Sequence, residues 1–241
     1  IVDTQRRHDA INNGTTTVVV APRILLAEQL CSEFLEIIDT SHTHVMHVHS
    51  GETHHYSNTK PVNIHVFANT ARNMGENCII FTSYHSLHRV MEADIEVNTI
   101  YFDEAHNSVQ RNFFPATEFF ANDADRCYFY TATPKHSLTI SKPGMNDAAV
   151  YGQVLINVPA PELVEQGYIL PPKVVVKQLP LIKGRKVMYA EDADNLLETI
   201  DDNDISKTLI CARTTKQIMG LISQSDFCVQ LAQRGYSWMT I

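Results

Sequence analysis

An α/β fold with a parallel sheet is what this sequence predicts, and three observations carry it. Short apolar, β-branched runs alternate with longer segments of helical period, the pattern of strands joined by crossover helices. The chain has 241 residues, 44% of them hydrophobic and 19% charged, enough to bury one large core or two modest ones. The sharpest apolar run ends abruptly in two carboxylates and a histidine, at the strand end where parallel sheets bind ligands.

The elements follow in order. Thr4 to Asn13 reads as a short polar helix closed by Asn12-Asn13-Gly14, since glycine or asparagine past the last turn accepts the left-handed cap. Strands are expected at Thr16 to Ala21, His44 to His49, Val62 to Phe67, Cys78 to Thr82, Thr99 to Phe102 and Arg126 to Thr131, with later ones at Lys173 to Lys177 and Lys207 to Cys211. Helices are expected at Leu25 to Ile38, with Leu26, Leu30, Phe34, Ile37 and Ile38 on one face, at Ser86 to Met91 and at Asn112 to Asn122. From Pro134 to Gly152 the composition turns loop-like, and Pro171-Pro172 precedes a new strand series. A first domain over 1–145, a linker over 146–172 and a second unit over 173–241 are therefore expected. The second unit holds an acidic stretch, Glu191 to Asp204, read as a solvated helix around Leu196, Leu197 and Ile200. The final run, Tyr236 to Ile241, resembles a strand cut before its continuation, and the first helix lacks a preceding strand, so a fragment is expected.

Composition excludes several classes. No apolar run reaches the ~18 residues of a membrane span and no secretory signal opens the chain, so the default expectation is a soluble intracellular protein. Cys31, Cys78, Cys127, Cys211 and Cys228 are scattered without a C-x-x-C pair, which argues against a disulfide scaffold or a cysteine zinc site. A net charge of −8 argues against wholesale wrapping of nucleic acid and leaves room for a local basic groove.

The chemistry concentrates at Asp103-Glu104-Ala105-His106, after the strand Thr99-Ile100-Tyr101-Phe102. Adjacent carboxylates point to different sides, so one can hold Mg²⁺ through its water shell while the other polarises an attacking water. An acidic helix N-terminus, favoured by the macrodipole, is the alternative. A second feature is histidine density: His42, His44, His47, His49, His54 and His55 are six of the twelve histidines. Imidazoles two apart on a strand share a face, as His47 and His49 would, while His44 falls on the other; a zinc or nickel site is one reading, with Glu52 the acidic residue at hand. A plain strand and loop is the other.

Asp103-Glu104-Ala105-His106 resembles the DEAH form of the Walker B motif of superfamily 2 helicases and translocases, and further motifs follow in that family's order. Val18 to Arg23 with Leu26-Ala27-Glu28-Gln29 resembles motif Ia, Phe81-Thr82-Ser83-Tyr84-His85-Ser86-Leu87 motif Ib, Tyr130-Thr131-Ala132-Thr133-Pro134 motif III, and Lys207 to Arg213 motif IV. Tyr151-Gly152 to Pro172 is similar to the interdomain stretch of restriction-type and repair-type DNA motors. The resemblance implies a RecA-like first domain with part of a second. It implies an ATP- and Mg²⁺-dependent motor on nucleic acid, DNA rather than RNA, with Asp103 on Mg²⁺ through water and Glu104 activating water. It also implies that His106, Thr131, Ala132 and Thr133 couple the nucleotide to the strand, and that Arg23, Thr82 and Ser83 contact phosphates. Thr82, Ser83 and Ser86 can equally cap a helix. No glycine is followed by lysine, so the phosphate loop is missing, as are motifs V and VI; Gly184-Arg185 lacks the glutamine spacing. The 241 residues alone are expected to be inactive. A nucleic-acid-binding remnant without turnover and a histidine-rich metal-binding module are the alternatives.

Overall fold

In a computed structural model of the chain, the described residues are 1–10, 14–139, 141–171, 173–174, 176–178, 188–203 and 207–240. They divide into two units, Ile1–Glu162 and Leu163–Ile241. The first unit is a sheet with helices on both faces. In chain order it runs α1 (Val2–Ala10), β1 (Thr16–Ala21), α2 (Ile24–Leu35), β2 (Thr43–Val48), β3 (Tyr56–Ser57), α3 (Pro61–Asn73), β4 (Asn77–Ser83), α4 (Leu87–Glu92), β5 (Thr99–Phe102), α5 (Phe114–Asp123), β6 (Arg126–Phe129) and α6 (Ala148–Tyr151). All pairs are parallel, in the order β3-β2-β4-β1-β5-β6.

Side-chain alternation divides the sheet between two cores. Val18, Val20, Met46, Val48, Ile80, Ile100 and Phe102 face α3, α4 and α5. Val19, Ala21, Ile79, Phe81 and Tyr101 face α2, where Ala27, Cys31 and Phe34 meet them. Both faces are covered, so the central strands read as continuous apolar runs; β1 and β4 are buried throughout. The α1 helix is tied to the α2 side by Thr4 Oγ1, which donates to Tyr101 Oη at 3.1 Å. Gly14 turns the chain into β1 with φ of 72°, and a Cβ there would fall 2.3 Å from the Glu76 carbonyl oxygen. Only glycine fits that approach.

Several sequence expectations need correction. Val62 to Phe67, read as a strand, lies inside α3. Pro61 presets the first helical turn, and Ile64, Ala68 and Ala71 recur at helical spacing as the buried face while Val62 and Val66 stay exposed. The α2 face is Ala27, Cys31 and Phe34, with Leu26 and Leu30 partly buried and Ile37 exposed; a buried Ile38 follows the helix. Tyr151 of α6 packs on Phe129 at 4.7 Å and meets Ser108 at 2.9 Å, so α6 belongs to the first unit.

A further helix, α7 (Ala160–Glu165), spans the division. The second unit holds α8 (Tyr189–Asp202), α9 (Thr215–Ser223) and α10 (Phe227–Gln233), around Ala193, Leu197, Ile200, Phe227 and Leu231. Residues 191–202 of the acidic stretch lie in α8, with Asp192, Asp194, Glu198, Asp201 and Asp202 exposed, and Asp204 lies outside the described residues. Among the described residues of Lys173 to Lys177, Lys207 to Cys211 and Tyr236 to Ile241 no strand forms. Val174, Val176 and Leu209 are exposed there, and an apolar run becomes a strand only where a neighbouring strand receives its backbone. Residues 11–13 of the first predicted helix, Val175, Ile241, Pro172 and the Gly184-Arg185 step lie outside the described residues.

Candidate active site and nucleic-acid edge

Strand order brings four of the sequence motifs to one edge. Ala21 and Ser83 are register partners on β1 and β4, Tyr84 N donates to Ala21 O at 3.2 Å, and Asp103 N donates to Val20 O at 2.9 Å. On the other side Tyr130 N donates to Phe102 O at 2.9 Å. The carboxyl ends of β4, β1, β5 and β6 therefore stand side by side, where open parallel sheets place their ligand sites.

Glu104 is the pivot of this edge. It adopts the left-handed region, φ 46° and ψ 51°, between Asp103, still on the β1 ladder, and Ala105, whose N–H donates to Tyr130 O at 2.8 Å. A non-glycine residue there stores strain of order 1–2 kcal/mol, which the bonds on both sides hold in place. The reversal sends the Glu104 carboxylate toward His106, whose Nδ1 lies 3.2 Å from Glu104 Oε2, 3.0 Å from Thr131 Oγ1 and 3.3 Å from Thr133 Oγ1. Thr133 N also donates to Thr131 Oγ1 at 3.2 Å. One imidazole nitrogen thus gathers a carboxylate and two hydroxyls from β5 and from the segment after β6. Ala105 is fully buried and Ala132 is exposed.

Asp103 is half-buried, and burial pushes its carboxyl above the ordinary carboxylate range. A backbone N–H from Glu104 works against that rise, while the charges of Glu104 and Glu33 add to it; no cation stands among these influences. A partly desolvated carboxyl among like charges is a place for a cation.

Three residues that hold the turn carried no assigned role in the sequence. Tyr84 Oη donates to Asp103 O at 2.8 Å from a buried ring, and Ser108 Oγ donates to Ala105 O at 2.6 Å while contacting Tyr151 Oη. Tyr84 lies inside the segment resembling motif Ib, but its aim across β1 is set by strand order.

The expected strand-contacting residues separate. Arg23 is exposed and stands at the start of α2. Thr82 is fully buried and its hydroxyl donates to Val48 O at 2.9 Å, so it joins β4 to β2 instead of facing a ligand. Ser83 is buried as well, and Ser86 precedes α4 without a side-chain cap bond. The histidines also separate. His44 pairs with Glu76, His42 approaches the same carboxylate, and His47 and His49 turn together to the α2 face, where Glu28 rather than Glu52 meets them.

Residues 3–136 match the family model described as "Type III restriction enzyme, res subunit". Two solved structures share the fold. One is a nuclease-deletion mutant of the Type ISP restriction-modification enzyme LlaGI in complex with a DNA substrate mimic, with TM-score 0.55 and 19% identity, covering 68% of this chain and 15% of that one. The other is the ATP-dependent Type ISP restriction-modification enzyme LlaBIII bound to DNA, with TM-score 0.51 and 16% identity, covering 68% of this chain and 13% of that one. A search of curated proteins finds no match. The chain spans about a seventh of each of those enzymes. With the family model covering more than half of its residues, and the Asp103 turn within the matched span, the chain belongs to the Type III restriction enzyme res subunit family.

Proposed function

We propose that these residues form part of an ATP-dependent DNA motor of the restriction type, coupling nucleotide hydrolysis to movement along a strand. The observation that carries it is the Glu104–His106–Thr131–Thr133 constellation at the end of the parallel sheet, beside a half-buried Asp103. Asp103 would hold Mg²⁺ through water. When bound, that ion would supply positive charge to offset the charge of the nucleotide phosphates. Glu104, displaced from the ladder by its left-handed backbone, orients the attacking water. His106 meets the Glu104 carboxylate and the two threonine hydroxyls at the same nitrogen, Nδ1, so these partners compete for it and a change at Glu104 can pass to the segment after β6. Arg23, exposed beside the β1 and β4 ends, supplies a guanidinium for a strand phosphate. DNA is favoured because both neighbouring structures are DNA complexes.

No Gly-Lys step occurs in the sequence, so the amides and lysine that cradle triphosphate must come from elsewhere for turnover. Calorimetry of the 241-residue chain tests this: MgATP should bind no tighter than millimolar, and single-stranded DNA should bind weakly with an affinity that falls as salt rises. Micromolar ATP affinity would show that the phosphate site is misplaced, and salt-independent binding would remove the Arg23 edge from its role. In a longer form that includes a phosphate loop, Glu104→Gln should keep nucleotide binding and lose about 10²-fold or more in hydrolysis. Near-normal turnover would refute the assignment.

A further inference from the structure

We propose that Glu28, His47 and His49 form a divalent transition-metal site on the α2 face of the sheet, separate from the Asp103 edge. His47 and His49 come from β2 and the residue after it, two apart and therefore on one face, and Glu28 reaches them from the first turns of α2. Glu28 Oε1 lies 3.0 Å from His47 Nδ1 and 3.1 Å from His49 Nε2, and the two nitrogens are 2.9 Å apart. An ion about 2.1 Å from each, an ordinary metal–imidazole or metal–carboxylate length, would subtend angles of roughly 90° at such a triangle. That is one face of an octahedron, with the remaining positions left to water.

The surroundings are built for a ligand set. Both imidazoles are almost wholly buried, and Glu28 Oε1 is buried with no hydrogen-bond partner among the described residues. The other carboxylate oxygen accepts from Thr53 Oγ1 at 3.1 Å, which turns Oε1 inward. The His47 ring is fixed by stacking on Phe81 at 5.4 Å and on His55 at 5.5 Å. Two imidazoles and one carboxylate suit a borderline cation such as Zn²⁺, Co²⁺ or Fe²⁺ rather than Mg²⁺ or Ca²⁺. Binding through His49 Nε2 places its ring proton on Nδ1, so the 3.3 Å contact from the Gly51 amide opens as the ion enters. The ion would join α2, which begins beside Arg23, to β2.

The test is titration of the metal-stripped chain, carrying no polyhistidine tag, with Zn²⁺ and with Co²⁺, followed by calorimetry, visible absorption and thermal melting. One equivalent should bind, raise the melting temperature and give the weak Co²⁺ absorption of a six-coordinate ion without a thiolate charge-transfer band. Glu28→Gln, at a partly exposed position, should weaken binding at least about tenfold with the metal-free melt unchanged, and Thr53→Val should weaken it several-fold. The doubly substituted His42→Ala, His54→Ala chain, changed at exposed histidines, should bind as the parent does. No binding at micromolar metal, or undiminished binding by both Glu28→Gln and Thr53→Val, would overturn the proposal. So would loss of the site on Cys31→Ser with a thiolate band in the parent, which would assign the ion to Cys31, His47 and His55.

Discussion

Replacing Tyr84 by Phe tests how the turn that carries Asp103 and Glu104 is held. The ring is 2% exposed and packs against Phe102 at 6.1 Å and Phe113 at 5.6 Å, so Phe preserves the packing and removes one hydroxyl. That hydroxyl donates at 2.8 Å to the Asp103 carbonyl, which has no other hydrogen bond among the described residues. A net hydrogen bond contributes about 1 kcal/mol, and a buried acceptor left without its donor costs about 1–3 kcal/mol, so the first unit should lose about 1–2 kcal/mol. In a urea titration, far-UV circular dichroism and exchange of the β4 and β5 amides should shift to lower denaturant with an unchanged slope. A loss under about 0.5 kcal/mol would refute the argument that this bond clamps the turn.

Other outcomes follow from the same geometry. In a loop-containing form, Thr131→Ala with Thr133→Ala should leave DNA-stimulated hydrolysis within a few-fold of the parent and depress translocation further. Equal losses in both assays would make the threonines catalytic or structural instead. His8 is buried with neither ring nitrogen hydrogen-bonded among the described residues, and burial holds its pKa down to about 4 against an ordinary 6.5. Its folded pKa is depressed, so stability present above about pH 6.5 is lost as pH falls toward 4, up to about 3 kcal/mol. His8→Leu should flatten that part of the pH–stability curve, and an unchanged acid limb would show that His8 is not its source.

The sequence by itself determined the fold class and which residues stand at the carboxyl end of β5. Short apolar runs mark the middles of β1, β4 and β5 because these strands are buried on both faces, with polar residues kept to their ends. The abrupt change from Phe102 to Asp103 marks the carboxyl end of β5, where the buried strand gives way to a partly exposed turn. Pairing of His47 with His49, apart from His44, also followed from strand alternation alone. What needed the tertiary structure was everything set by neighbours distant in the chain. Val62 to Phe67 has strand-like composition, yet Pro61 and the burial of Ile64, Ala68 and Ala71 make it helix. Thr82 looked available for a phosphate until β2 lay beside β4 and took its hydroxyl. Glu28 sits nineteen residues before His47, and only the packing of α2 on β2 brings its carboxylate to the two imidazoles. Local pattern fixes which face a residue is on, whereas strand order and helix packing decide which residues share that face.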